Sequence, residues 1–218
     1  MLVLASASPR RKELIALTGL NVLLHSVDLD ETPVGREPAE ALTRRLARAK
    51  AEAARPSAPA GSIVVAADTI VADEDGLLGK PAGDGEARAM LRRLRGRRHT
   101  VVTSLAVFGP EGADPLFDTC STDVPMRDYS DGEIEAFIAS GGTADKAGAY
   151  GIQDPGFRPV DVGALHGCFA NVMGLPLCHL VRTLRRRDLE PERDVPAACC
   201  ALTGYDCPVF ERILENTG

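Results

Sequence analysis

The chain has 218 residues, is 44% hydrophobic and carries a net charge of −6. That is enough for one substantial core, and no apolar run approaches the length of a membrane span. The acidic balance and the 4% aromatic content leave neither a broad basic face nor stacking platforms for general nucleic-acid binding. The opening MLVLASASPRR lacks a basic n-region and its apolar part is short, which reads against a secretory signal and for a cytoplasmic protein. Six cysteines without a Cys-x-x-Cys pair read as small buried hydrophobes in a reducing compartment. The late group of Cys178, His179, Cys199, Cys200 and Cys207 fits no common zinc spacing.

Along the chain, LVLA (2–5) reads as a short buried strand. Ser8 suits an N-cap and Pro9 the first helical position, with Leu14, Ile15 and Leu17 on one face and Gly19 as the stop. LNVLLHSV (20–27) reads as a second strand. Pro38 opens a helix with Leu42, Leu46, Ala49 and Ala53 at helical spacing, and RPSAPAG (55–61) breaks it. SIVVAADTIVAD (62–73) is a strand followed by a turn. Asp84 is expected to cap a helix carrying Ala87, Met90, Leu91 and Leu94, stopped by Gly96. HTVVTSLAVFG (99–109) and LFDTCSTDVPM (116–126) read as paired strands, and Ser130 with Glu133 as a capping box. A last clear helix falls in 174–187, with Pro176 in its first turn. The alternation of strands and helices, interrupted by a long hairpin, predicts an α/β fold with a mixed central sheet and flanking helices. The segment 188–218 reads as an extension with no assignable role, a cover for a cleft or for a subunit interface.

Three features carry chemistry. Residues 5–14, ASASPRRKEL, set Arg10, Arg11 and Lys12 at a helix N-terminus, where positive charge opposes the helix dipole. A phosphate held by the serine hydroxyls, the guanidinium groups and the backbone N–H groups would offset that penalty; the alternative is a solvated basic patch. Neither a P-loop nor a G-x-G-x-x-G occurs. Asp68 lies in the apolar run VVAADTIV, a costly place for a carboxylate unless it is paired, metal-bound or at a strand end. It could take a proton from water, hold a divalent cation or cap a turn. The third feature is a set of lysines. Lys50 falls on the apolar face of its helix, where a snorkelling side chain is the ordinary reading. Lys80 lies in the turn LGKP, and Lys146 in the small-residue stretch DKAGAYGIQ. With the acidic loop DLDETP (28–33), these groups suit a metal-bound polyphosphate.

LASASPRRKELI, DETP, RLARAKA, AADTIV, GLLGKP, KAGAYGIQ and NVMGLPL follow one another in an order that resembles the Maf family of nucleotide pyrophosphatases. The likeness covers roughly residues 2–187, leaving 188–218 outside. It implies a fold like that of the inosine triphosphate pyrophosphatases, with two lobes around a cleft. It implies hydrolysis of a nucleoside triphosphate to the monophosphate and pyrophosphate with Mg²⁺ or Mn²⁺, and a homodimer. By position, Asp68 corresponds to the proton acceptor, Glu31 and Asp68 to the metal site, and Ser8, Arg11, Lys50, Lys80 and Lys146 to phosphate-binding groups. Arg10, Thr69 and Gln153 match the members that act on dTTP and UTP. A glutamine amide offers a donor and an acceptor that match the N3–H and a carbonyl of uracil or thymine. Asp154 departs from the glycine that many members carry there. The competing reading is a nucleotide-binding regulator of septum formation without catalysis.

Overall fold

The computed structural model describes residues 1–110 and 113–215. In chain order the elements are β1 (Leu2–Leu4), α1 (Pro9–Ala16), β2 (Val22–Leu24), α2 (Ala39–Ala54), β3 (Ile63–Asp73), β4 (Gly76–Leu78), α3 (Asp84–Leu94), β5 (Arg98–Phe108), β6 (Leu116–Pro125), α4 (Asp131–Ala139), α5 (Phe169–Val172), α6 (Leu177–Arg185), α7 (Val195–Thr203) and α8 (Phe210–Glu215). The sheet runs β2-β1-β3-β5-β6, with β4 on β3. β1 is parallel to β2 and β3, while β3, β5 and β6 form an antiparallel series. The expected mixed sheet with flanking helices is present.

The central long strands β3 and β5 carry the architecture because alternate residues face opposite layers. Val64 and Ala66 of β3 and Ala106 and Phe108 of β5 pack with Ala47, Ala51 and Ala54 of α2. Val65, Ala67 and Val71 of β3, with Val101, Leu105 and Val107 of β5, face the larger core built from α1, α3, α4 and α6. On α2 the buried stripe is Leu42, Thr43, Leu46, Ala47, Lys50, Ala51 and Ala54. Ala49 is half-buried and Ala53 exposed, so the predicted stripe was turned slightly about the helix axis. Small residues let α2 lie close on the sheet.

Several local expectations hold. Ser8 accepts from the Arg11 N–H, Pro9 opens α1, and Ser130 and Glu133 form a full capping box. Others shift. β2 keeps only three of the eight residues expected, because β1 offers only three partners. Asp84 is not a cap: Gly83 is the N-cap, and Asp84 and Glu86 place negative charge in the first turn of α3. Pro176 stands before α6 as its N-cap.

The tail is integrated rather than loose. Val195, Tyr205 and Ile213 join the main core, and Tyr205 donates to the Leu165 carbonyl at 2.7 Å. α7 and α8 pack on α6. No described tail residue lines the large cleft, so residues 188–215 do not cover it. All six cysteines are free, and among the described residues no three His, Cys, Asp or Glu side chains form a metal-holding group. No described helix is long and apolar enough to cross a membrane.

Candidate active site

The sheet itself opens the site. β1 pairs with β3 only at Ile63–Val65, and β4 joins the same edge only at Val71–Asp73. Between them the chain leaves β1 at Ala5 and turns into α1, so the middle of β3 borders a cleft of about 700 Å³. Asp68 and Thr69 lie in that gap, and β-alternation sends them to opposite faces.

Asp68 faces α2. Its Oδ1 accepts from Lys50 Nζ at 2.6 Å, and the same ammonium donates to Glu31 Oε1 at 2.5 Å. Lys80 reaches the other Glu31 oxygen at 2.8 Å. Lys50 is only 7% exposed, so the snorkelling reading is replaced by a buried ion pair. A buried lysine requires a charge partner, and α2 aims Lys50 at two. Burial raises the Asp68 carboxyl above its ordinary range, although Lys50 and Arg11 pull the other way. For Glu31, burial pushes upward but the hydrogen bonds from Lys50 and Lys80 win and hold it at about 2.

Thr69 faces the other layer. Its hydroxyl accepts from Arg11 Nη2 at 2.9 Å and lies 2.9 Å from the Thr103 hydroxyl. Arg11 Nε also donates to the Gly174 carbonyl at 2.8 Å. Burial lowers the Arg11 pKa from its ordinary value, with Asp68 and Glu31 opposing. Gly174 has a φ of +103°, and a Cβ there would meet Arg11 Nε and Thr69 Oγ1 at 3.4 Å. The NVMGLPL stretch therefore needs this glycine to let its backbone reach the arginine.

The far wall is the loop 145–154. Arg10 Nη1 donates to Asp145 Oδ2 at 2.9 Å, and Arg10 Nη2 to the Asp145 carbonyl at 3.2 Å. Lys146 lies 3.3 Å from Asp145 Oδ1 and 3.4 Å from Asp154 Oδ1, and donates to the Gly142 carbonyl. A Cβ on Gly151 would fall 2.5 Å from Asp154 Oδ2 and 3.0 Å from Lys146 Cε, so a side chain there would displace both charged groups. Beneath the loop, buried His99 and Tyr150 are 2.6 Å apart through Nε2 and Oη.

All the residues singled out from the sequence, Ser8, Arg10, Arg11, Glu31, Lys50, Asp68, Thr69, Lys80, Lys146 and Gln153, line this one cleft. Asp145 was missed. Its partner Arg10 is 135 residues away, and no local pattern marks the pair. Asn171, whose amide ties α5 to Val101 and Thr122, was noticed only as part of a motif. The lining holds five cations, Arg10, Arg11, Lys50, Lys80 and Lys146, against six carboxylates, Glu13, Asp28, Glu31, Asp68, Asp145 and Asp154.

A cleft with clustered cations around one buried carboxylate defines a phosphate-handling α/β protein. Residues 1–187 match the family model of the Maf-like proteins, and the chain belongs to that family. It is 43% identical over 213 residues to a dTTP/UTP pyrophosphatase of Thermomicrobium roseum, covering 95% of this chain and 93% of the relative, so that match runs into the tail. A dTTP/UTP pyrophosphatase of Myxococcus xanthus is 45% identical over 189 residues, 87% of this chain and 93% of the relative. Among solved structures the chain is similar to the Staphylococcus aureus Ham1 protein, with a TM-score of 0.45 and 17% identity over 73% of this chain and 79% of that one.

Proposed function

We propose that this chain is a nucleoside triphosphate pyrophosphatase that hydrolyses dTTP and UTP to the monophosphate and pyrophosphate, using Mg²⁺ or Mn²⁺. The observation that carries the reading is the convergence of Asp68 with five cations in one cleft, in a chain closely related to proteins named for that reaction.

In this reading water attacks the α-phosphorus, the bond to the α,β-bridging oxygen breaks, and pyrophosphate leaves. Such a reaction needs charge neutralised and atoms held in line. Asp68 takes the proton of the attacking water. Lys50 fixes one oxygen of Asp68, and we assign the other to the water. Burial keeps this carboxylate more basic than an exposed one, which favours proton transfer. Arg10, Lys80 and Lys146 neutralise phosphate oxygens, Ser8 adds the helix N-terminus, and Arg11 holds Thr69 and the 174 turn in place. Gln153 is exposed on the cleft wall, and in this reading its amide pairs with the pyrimidine base.

The residues fit a divalent ion of a particular kind. Glu31 and Asp68 are hard oxygen donors held against one ammonium. Two carboxylates suit Mg²⁺ or Mn²⁺ that completes its shell with water and phosphate oxygens. The excess of carboxylates over cations in the lining also favours such an ion, since a triphosphate brings further negative charge. When bound, the ion neutralises charge on the phosphates. A homodimer accompanies this reading through family likeness, and sedimentation of the purified chain tests it.

The deciding experiment incubates the chain with dTTP, UTP, CTP, GTP and 7-methyl-GTP, with and without Mg²⁺ or Mn²⁺, and separates the products. Metal-dependent monophosphate and pyrophosphate from dTTP and UTP is the expected outcome. No turnover of any triphosphate by the folded chain would leave nucleotide binding without catalysis.

A further inference from the structure

Four of the five cations facing the cleft are ion-paired to carboxylates, and two of those carboxylates, Asp145 and Asp154, have no part in the mechanism above; of these two, Asp145 is the one that bridges two cations. Asp145 engages three oxygens: Oδ2 and the main-chain carbonyl hold Arg10, and Oδ1 faces Lys146. Arg10 comes from α1 and Lys146 from the opposite loop, so one side chain neutralises cations of both walls. Its neighbours differ in an informative way. The Asp68 side chain is 8% exposed and cannot leave its lysine without burying an unpaired charge. The Asp145 side chain is 56% exposed and can turn to water at little desolvation cost. Lys146 does not depend on it, since Asp154 Oδ1 and the Gly142 carbonyl also hold the ammonium.

We propose that Asp145 is an internal counter-ion that competes with ligand phosphate for Arg10 and Lys146, and so limits how tightly the cleft holds phosphate products. The inference rests on the pyrophosphatase reading for the identity of the ligand. An anion entering the cleft takes the two cations and displaces the carboxylate; when the anion leaves, the carboxylate returns. A polyanion meets this competition at both walls. Removing the carboxylate leaves Lys146 seated, leaves Arg10 only the main-chain carbonyl of residue 145, and adds one unit of positive charge where phosphate binds. A unit charge at a partly screened site changes anion affinity by about tenfold. The direction is diagnostic, because a residue that merely supported the loop would weaken binding when removed.

The test titrates inorganic pyrophosphate into the full chain and into Asp145→Asn and Asp145→Ala by calorimetry, at low and at raised salt, with thermal melts to establish folding. Both variants are expected to bind pyrophosphate about tenfold more tightly than the unaltered chain. The gain should shrink as salt screens the cleft. Unchanged or weaker binding in both folded variants overturns the proposal. The pyrophosphatase reading stands or falls separately, on whether the unaltered chain releases pyrophosphate from dTTP. A chain that binds pyrophosphate and responds to the Asp145 variants but turns over no triphosphate would refute that reading and leave the counter-ion in place.

Discussion

Asp68 is tested most directly by Asp68→Asn, which keeps the shape and the hydrogen bond to Lys50 but removes the base. Turnover should fall by about three orders of magnitude or more, while circular dichroism stays native. Near-normal turnover would remove Asp68 from its role. The raised Asp68 pKa gives the pH dependence a sign. The carboxylate must be ionised to accept a proton, so activity falls on the acid side, and at a higher pH than for an exposed aspartate. Lys50→Met removes the partner of two carboxylates at once. It should destabilise the chain by about 3 kcal/mol, read from denaturant midpoints. It should also move the acid limb of any residual activity further up, since the ammonium no longer favours ionised Asp68. For base choice, Gln153→Glu loses the amide donor; an unchanged dTTP-to-GTP ratio would refute the assignment. The sequence singled out Asp68 by its odd local setting, an acid in an apolar strand, and noted Lys50 on an apolar stripe, whereas Gln153 followed only from the family resemblance. Asp145 stands in no odd setting, and only its contact with Arg10 reveals it.

At the scale of the elements, two features organise the site: the split edge of β3 and the buried pair under the 145–154 loop. His99 sits on β5 facing the larger core, and burial lowers its pKa to about 4. The unfolded chain protonates near the ordinary histidine value, so it binds more protons than the folded chain between those two pH values. Stability should therefore be constant above about pH 6.5 and decline as pH falls from there toward 4, by up to roughly 3 kcal/mol. Denaturant midpoints across this range check it, and His99→Gln should flatten the slope. Gly174→Ala tests the turn after α5. Its φ of +103° is strained for alanine, and the added carbon would press on Arg11 and Thr69. A loss of about 1–3 kcal/mol is expected, with turnover reduced through displaced Thr69. Helix starts were legible at this scale where a cap states itself locally, as at Ser8 and Ser130. The start at Gly83 was not, because a glycine cap contributes no side-chain bond to read.

For the whole molecule, the tail is the informative part. Residues 188–215 resisted assignment because they are charged first and Cys-rich after, without a clear helical period, and their helices are short, so such elements are identified only once they have a partner. The structure supplies the partner: Val195, Tyr205 and Ile213 complete a core begun by α5 and α6. Ending the chain after Arg187 would uncover Cys168, Phe169 and Leu177, which face the tail. The melting temperature should drop by roughly 10 °C or more, while pyrophosphate binding by the remaining folded molecules persists, since no described tail residue lines the cleft. Equal melting temperatures would show that the tail contributes nothing to the core. The sequence by itself determined the order of the longer strands and helices up to residue 187, the mixed sheet and the identities of the charged groups, because periodicity, caps and side-chain chemistry are properties of short stretches. The tertiary structure alone decided that Lys50 is buried between Glu31 and Asp68, that Arg10 meets Asp145, and that residues 188–215 stay out of the cleft. Those outcomes depend on distances between residues far apart in the chain, which the packing of β1, β3 and α2 sets.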